Sequence, residues 1–96
     1  MKEKLYFVYI LTNYLNKVLY VGITNNLKLR IYQHKTGKES TFTNKYNVNK
    51  LVYYEIYRNS EVAILREKSI KNLVRRKKDE LINKSNNKWK DLYNFL

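Results

Sequence analysis

The sequence predicts an α+β domain: a three-stranded antiparallel sheet flanked by helices, in the order β-β-α-β-α-α. Three observations carry this expectation. Three short runs near residues 4–12, 18–23 and 51–57 are rich in tyrosine, valine and isoleucine, the composition of strands buried on at least one face. The segments between and after them carry apolar residues at helical spacing. The chain is 96 residues long, so about 65% of its unfolded surface can be buried by size scaling, enough for one modest core and one domain spanning 1–96.

Lys4 to Thr12 is apolar on both faces and reads as a buried strand. Asn13 to Lys17 is a polar loop, and Val18 to Ile23 is a second strand, so the pair forms an antiparallel hairpin. Gly22 inside that strand predicts a bulge or a close backbone approach. A helix follows, capped by Thr24 or Asn25 and closed by Gly37 in a left-handed conformation. Lys38 to Lys50 has no period and reads as a basic loop, and Leu51 to Tyr57 is the third strand. A long helix is expected over Asn59 to Val74, with Glu61 complementing its dipole. Arg75-Arg76-Lys77-Lys78 marks a break before a last short helix ending near Lys84. The tail from Trp89 to Leu96 holds Trp89, Leu92, Tyr93 and Phe95 and is apolar enough to dock on the core.

Composition narrows the functional classes. The absence of cysteine excludes disulfides, thiolate metal sites and cysteine nucleophiles, and a single histidine excludes a multi-histidine metal site within the chain. No run approaches the ~18 apolar residues of a membrane span. The apolar run near the start lacks a small-residue cleavage site, so the expected location is the cytoplasm, including the nucleoid. Twenty Lys and Arg against eight Asp and Glu give a net charge of +12, and such an excess favours a polyanionic partner, nucleic acid first. Part of the lysine excess is also what A/T-rich codon usage alone produces.

Three groups of residues have chemical character. On a helix over 59–74, Glu67 shares a face with Ala63, Ile64, Ile70 and Val74. A carboxylate in an apolar stripe needs a partner, either a salt bridge such as Lys71 one turn on, or a hard cation such as Mg²⁺. Arg30 and His34 lie four residues apart, a fixed cation and a titratable imidazole suited to a phosphodiester. The plainer reading of that pair is a surface arginine and a solvated histidine. Ten tyrosines are mostly packing residues, since phenol chemistry near neutral pH requires neighbouring cations or a metal.

Taken jointly, these residues resemble the GIY-YIG nuclease family. Its first signature corresponds to Phe7-Val8-Tyr9 and its second to Tyr20-Val21-Gly22; its helical arginine corresponds to Arg30, the histidine one turn on to His34, and its glutamate to Glu67. The similarity spans essentially the whole chain and is closest to small stand-alone (URI-type) bacterial members, which share stretches like Leu51-Val52-Tyr53-Tyr54-Glu55 and Trp89-Lys90-Asp91-Leu92-Tyr93. Two departures stand out: Ile23 replaces a lysine, and Asp79 replaces an asparagine, of some members.

The resemblance implies the GIY-YIG nuclease fold and a metal-dependent endonuclease acting on DNA phosphodiesters, structure-preferring or non-specific, of the kind that serves DNA repair or recombination. It implies one divalent ion, Mg²⁺ or Mn²⁺, held by Glu67, with Tyr20 as general base, Tyr9 orienting it, Arg30 stabilising phosphoryl charge and His34 assisting. Lys38, Lys45, Lys50, Arg75, Arg76 and Lys77 are the expected nucleic-acid contacts. No small-molecule cofactor or membrane is expected, and a monomer is assumed. The alternative is a nucleic-acid-binding module of the same fold without turnover. A third reading, a structural basic protein, leaves Glu67 unexplained.

Overall fold

A computed structural model describes residues 3–37 and 41–96. Three strands form one sheet in the order β2-β1-β3, with β1 (Tyr6–Thr12) antiparallel to both β2 (Leu19–Thr24) and β3 (Lys50–Tyr57). The central strand is the most apolar one, and every residue from Val8 to Thr12 is buried. The expectation of a strand covered on both faces holds.

The helices are α1 (Leu27–Lys35), α2 (Thr41–Lys45), α3 (Ser60–Lys71) and α4 (Arg75–Ser85), followed by a 3₁₀ turn at Leu92–Phe95. They divide the core in two. On one face, Val8, Ile10, Val21 and Val52 pack with Ala63, Ile70 and Ile82 of α3 and α4. On the other, Tyr9, Leu11 and Leu51 pack with Leu27 and Ile31 of α1 and with Val48, and the tail residues Leu92, Tyr93 and Leu96 close over them. The tail docks as its apolar content requires.

Several local expectations are corrected. The first helix is capped by Asn26, whose side chain accepts from the Leu29 amide, while Thr24 Oγ1 accepts from the Asn26 amide just before it. Gly37 does close that end, at φ +73°. The basic segment 38–50 contains α2 and is not wholly a loop. The third helix stops at Lys71, so the break falls at Asn72–Val74 and the Arg75–Lys78 run forms the first turn of α4. Four cations at a helix N-terminus oppose its dipole. Pairs one turn on, Arg75 to Asp79 and Arg76 to Glu80, both at 2.8 Å, offset that repulsion. Gly22 lies in an unbroken β1–β2 register; the bulge is between β1 and β3, after Ile10.

That bulge explains why the tail sequence matters. It leaves Val52 without a register partner between Leu51 and Tyr53, and two side chains from the C-terminal region take up backbone groups of Leu51 and Val52. Asp91 Oδ1 accepts from the Leu51 amide at 3.1 Å, and Asn86 Nδ2 donates to the Val52 carbonyl at 3.0 Å. Asp91 Oδ2 also receives the Lys35 ammonium at 2.5 Å, which ties α1 to the tail. Removing one partner of a buried amide costs its desolvation, so Asp91→Ala is expected to lower stability by about 2–3 kcal/mol. Urea unfolding checks this; a loss below about 0.5 kcal/mol would mean that water replaces the carboxylate.

Candidate active site

The site is assembled on the sheet face that carries α1. In the β1–β2 ladder Tyr9 stands opposite Gly22, and Leu11 stands opposite Tyr20, so both tyrosines project from the same face. The Tyr9 ring lies across the backbone of Gly22. A methyl group built there would sit 2.4 Å from both Cζ and Oη of Tyr9. The close approach expected of Gly22 is therefore made by a side chain, and it carries the Tyr9 hydroxyl toward α1.

There it meets His34. The Tyr9 hydroxyl and His34 Nε2 are 3.2 Å apart, and His34 Nδ1 lies 3.1 Å from Thr43 Oγ1 on α2. Tyr20 packs against both rings, with centroids 5.6 Å from His34 and 6.4 Å from Tyr9. Tyr9 is 1% exposed and His34 4%, whereas Tyr20 is half-buried. The solvated histidine of the plainer reading is corrected. His34 falls seven residues after Leu27 and three after Ile31, on the buried stripe of α1. Arg30, one turn before His34, is half-buried.

Glu67 comes from the opposite side of the sheet. Its helix packs on β1 and β2, and its neighbours Ala63 and Ile70 are fully buried against that face. Ile64 and Val74, expected on the same stripe, are 43% and 63% exposed, because the stripe is narrow and the helix ends before Val74. The Glu67 side chain is 14% exposed, with Oε2 3.2 Å from the Lys71 ammonium. The salt bridge foreseen for it is present. The edge strand β2 carries Tyr20 and also packs against this carboxylate's helix. Among the described residues no group of three or more His, Asp or Glu side chains could hold a metal. A lone carboxylate is the donor set of a hard cation ligated mainly by water and phosphate oxygens, and it fits Mg²⁺ or Mn²⁺ rather than a resident zinc-type ion.

A second polar cluster escaped the sequence reading. Glu55 on β3 accepts from Tyr53, from Tyr57 at 2.5 Å and from Arg66 Nε and Nη2 at 2.9 and 3.0 Å. Its signal was the period of two, Tyr53-x-Glu55-x-Tyr57, which puts all three on one face. Arg66 is the residue before Glu67, so this bidentate clamp fastens α3 to β3 beside the candidate ligand. Burial pushes the Glu55 carboxyl up, but the hydrogen bonds from Arg66, Tyr53 and Tyr57 outweigh it and hold it below the usual range. Burial, with the bond to Glu55, pushes Tyr53 up to about 12. A depressed carboxyl stabilises the fold above its unfolded value and loses that contribution as pH falls. A raised phenol stabilises below its unfolded value of 10.0 and loses that contribution as pH rises toward about 12. The unfolding midpoint is expected to fall at both extremes, and Tyr53→Phe to flatten the alkaline limb. An alkaline limb unchanged in that variant would remove Tyr53 from the account.

The expected nucleic-acid contacts divide. Lys38 lies outside the described residues. Lys45 is exposed on α2, with its ammonium 5.4 Å from the Tyr46 ring centroid. Lys50 is half-buried and donates to Asn16 Oδ1 at 2.6 Å, and burial lowers its pKa against the opposing pull of Asp91. Arg75 is exposed and donates to the carbonyls of Asn16 and Lys17 at 2.6 and 2.7 Å as well as to Asp79. Asp79, one of the two departures, is thereby explained as its partner. Arg76 and Lys77 are exposed and, among the described residues, pair with Glu80, contacts weak enough to be exchanged for phosphate. No helix among the described residues is long and apolar enough to cross a membrane.

Comparison with known proteins bears on the family and the fold. Residues 5–86 match the GIY-YIG catalytic domain. A UPF0213 protein of Clostridium perfringens is 44% identical over 64 residues, covering 67% of this chain and 69% of that one. A UPF0213 protein of Oceanobacillus iheyensis is 35% identical over 80 residues, covering 83% and 92%. The solution NMR structure of a UPF0213 protein from Bacillus halodurans superposes with a TM-score of 0.58 at 29% identity, over 91% of this chain and 92% of that one. The tyrosine pair, the capped helix with its arginine and histidine, and the glutamate helix thus sit in a matched domain, and the chain belongs to the GIY-YIG catalytic-domain family, a family of nuclease type.

Proposed function

We propose that this domain is a metal-dependent endonuclease that hydrolyses DNA phosphodiester bonds. The observation that carries the reading is the packed trio of Tyr9, Tyr20 and His34, in which Tyr20, on the edge strand, is the half-buried member. Tyr20 accepts the proton of the attacking water. Tyr9, held by His34, is buried and orients the Tyr20 side of the cluster without itself meeting bulk water. Arg30 stabilises charge on the phosphoryl oxygens, which a guanidinium does bidentately. Glu67 is the residue to hold a divalent cation, which supplies Lewis-acid neutralisation of the phosphate when bound. Lys71 gives up its pair with Glu67 in that state, a small cost for an ammonium that is half exposed. Lys45, Arg76, Lys77 and Lys38 contribute phosphate contacts, within a chain of net charge +12.

The test is cleavage of labelled duplex, branched and single-stranded DNA, and of RNA, with Mg²⁺, with Mn²⁺ and with chelator. Cleavage of DNA that needs the metal, on a background of binding that weakens steeply with salt, is expected. Salt-sensitive binding with no cleavage of any substrate would instead establish a binding module of the same fold.

A further inference from the structure

We propose that Thr43 is a positioning residue of this site: its hydroxyl oxygen accepts a hydrogen bond from Nδ1–H of His34, leaving Nε2 to accept the proton of the Tyr9 hydroxyl. The inference about the tautomer stands on geometry; its consequence for catalysis rests on the nuclease reading above. Thr43, His34 and Tyr9 are 2%, 4% and 1% exposed, and they form a row that links α2, α1 and the central strand at 3.1 and 3.2 Å. A neutral imidazole has one N–H donor and one bare nitrogen, and the partner of one nitrogen selects the role of the other.

Two arrangements satisfy these distances, and their donors and acceptors are unequal. A phenol, with an ordinary pKa near 10, is a far stronger hydrogen-bond donor than an aliphatic hydroxyl, and its oxygen is a poorer acceptor than either an imidazole nitrogen or that hydroxyl. Pairing the phenol O–H with bare Nε2, and Nδ1–H with the Thr43 oxygen, matches strong donor to strong acceptor. The reverse arrangement gives the imidazole N–H the poorer acceptor, the phenol oxygen, and gives the unprotonated imidazole nitrogen the poorer donor, the Thr43 hydroxyl. In so buried a place the difference is not diluted by water.

The placement of Thr43 is itself secured. Its carbonyl accepts from the Val48 amide at 2.8 Å, and Val48 is fully buried among Leu27, Ile31 and Leu51. The hydroxyl is thus delivered to His34 from within the basic segment 38–50. With the Tyr9 proton committed to His34, the lone pairs of Tyr9 are turned away from the imidazole, where a catalytic tyrosine or a water can donate to them.

His34 is the chain's single histidine, so the imidazole region of a long-range ¹H–¹⁵N NMR spectrum of the full chain reports this ring alone. The wild type is expected to show protonated Nδ1 and unprotonated Nε2, Thr43→Ser to keep that pattern, and Thr43→Val to lose it. In cleavage assays, Thr43→Val is expected to lower kcat about 10-fold with KM unchanged, below the full 10²–10⁴ of general acid–base catalysis, and Thr43→Ser to restore it. A wild-type spectrum with protonated Nε2, or with both nitrogens protonated, overturns the proposal whatever the variants do. So does a Thr43→Val pattern identical to wild type. Absence of cleavage by the wild type would defeat the nuclease reading alone, because the spectrum does not depend on turnover.

Discussion

Tyr20→Phe is expected to leave the domain folded and DNA binding intact while lowering metal-dependent cleavage about 10³-fold, the middle of the range for removal of a general base. The substitution deletes one oxygen and keeps the ring, and it is the ring that packs at 5.6 Å against His34 and 6.4 Å against Tyr9. Tyr20 is half-buried on an edge strand whereas Tyr9 is 1% exposed, so Tyr20 is the one of the pair with surface open to solvent. Tyr9→Phe differs in kind. It strips His34 of a buried partner, so it costs stability as well as activity. Single-turnover cleavage beside an unfolding curve separates the two. A Tyr20→Phe enzyme within about threefold of wild type would move the proton-accepting role elsewhere, since general-base loss is worth far more than that.

Gly22→Ala is expected to cost about 1–3 kcal/mol or more, the effect of overpacking in a site that cannot relax. The added Cβ would lie 2.4 Å from Cζ and Oη and 2.9 Å from Cε2 of Tyr9. The ring has no room to retreat: it is 1% exposed and packed with Leu11, Leu27, Ile31 and Leu51. The alternative is for the ring to swing off the strand, which breaks the contact with His34. Either way the tyrosine pair is disturbed, so activity falls together with stability. In a Tyr9→Leu background the clash is gone, and the same glycine substitution is expected to be nearly neutral, a coupling that a double-mutant cycle measures. Additive costs would show that Gly22 acts through its backbone and not through Tyr9.

Much of this arrangement is written locally in the chain. A strand apolar on both faces is buried, which puts Tyr9 in the core, and Gly22 within a strand signals a bulge or a close approach, of which the fold makes the second. The left-handed Gly37 follows from residue type alone. The burial of His34 was also legible, since it continues the Leu27–Ile31 stripe, but its pairing with Arg30 one turn away drew the reading toward the surface. Other features have no local signature. Thr43 sits in a segment without period, and only the fold brings it to His34. Arg75 looks like one more cation in a basic run, yet its guanidinium closes the hairpin loop at Asn16 and Lys17. The Asp91 and Asn86 contacts answer a bulge on another strand, which sequence periodicity cannot reveal.

A tyrosine–histidine cluster lies on one face of the sheet, and Glu67, the proposed metal ligand, is on the helix that covers the other. The direct measurement is nicking of supercoiled plasmid in Mg²⁺ by the wild type and by Glu67→Ala, with DNA binding of both followed in parallel. Nicking by the wild type is expected, abolished by chelator and by the substitution, with affinity for DNA unchanged because the basic surface is untouched. Nicking by Glu67→Ala at the wild-type rate would overturn the one-metal assignment and leave Glu67 as the partner of Lys71.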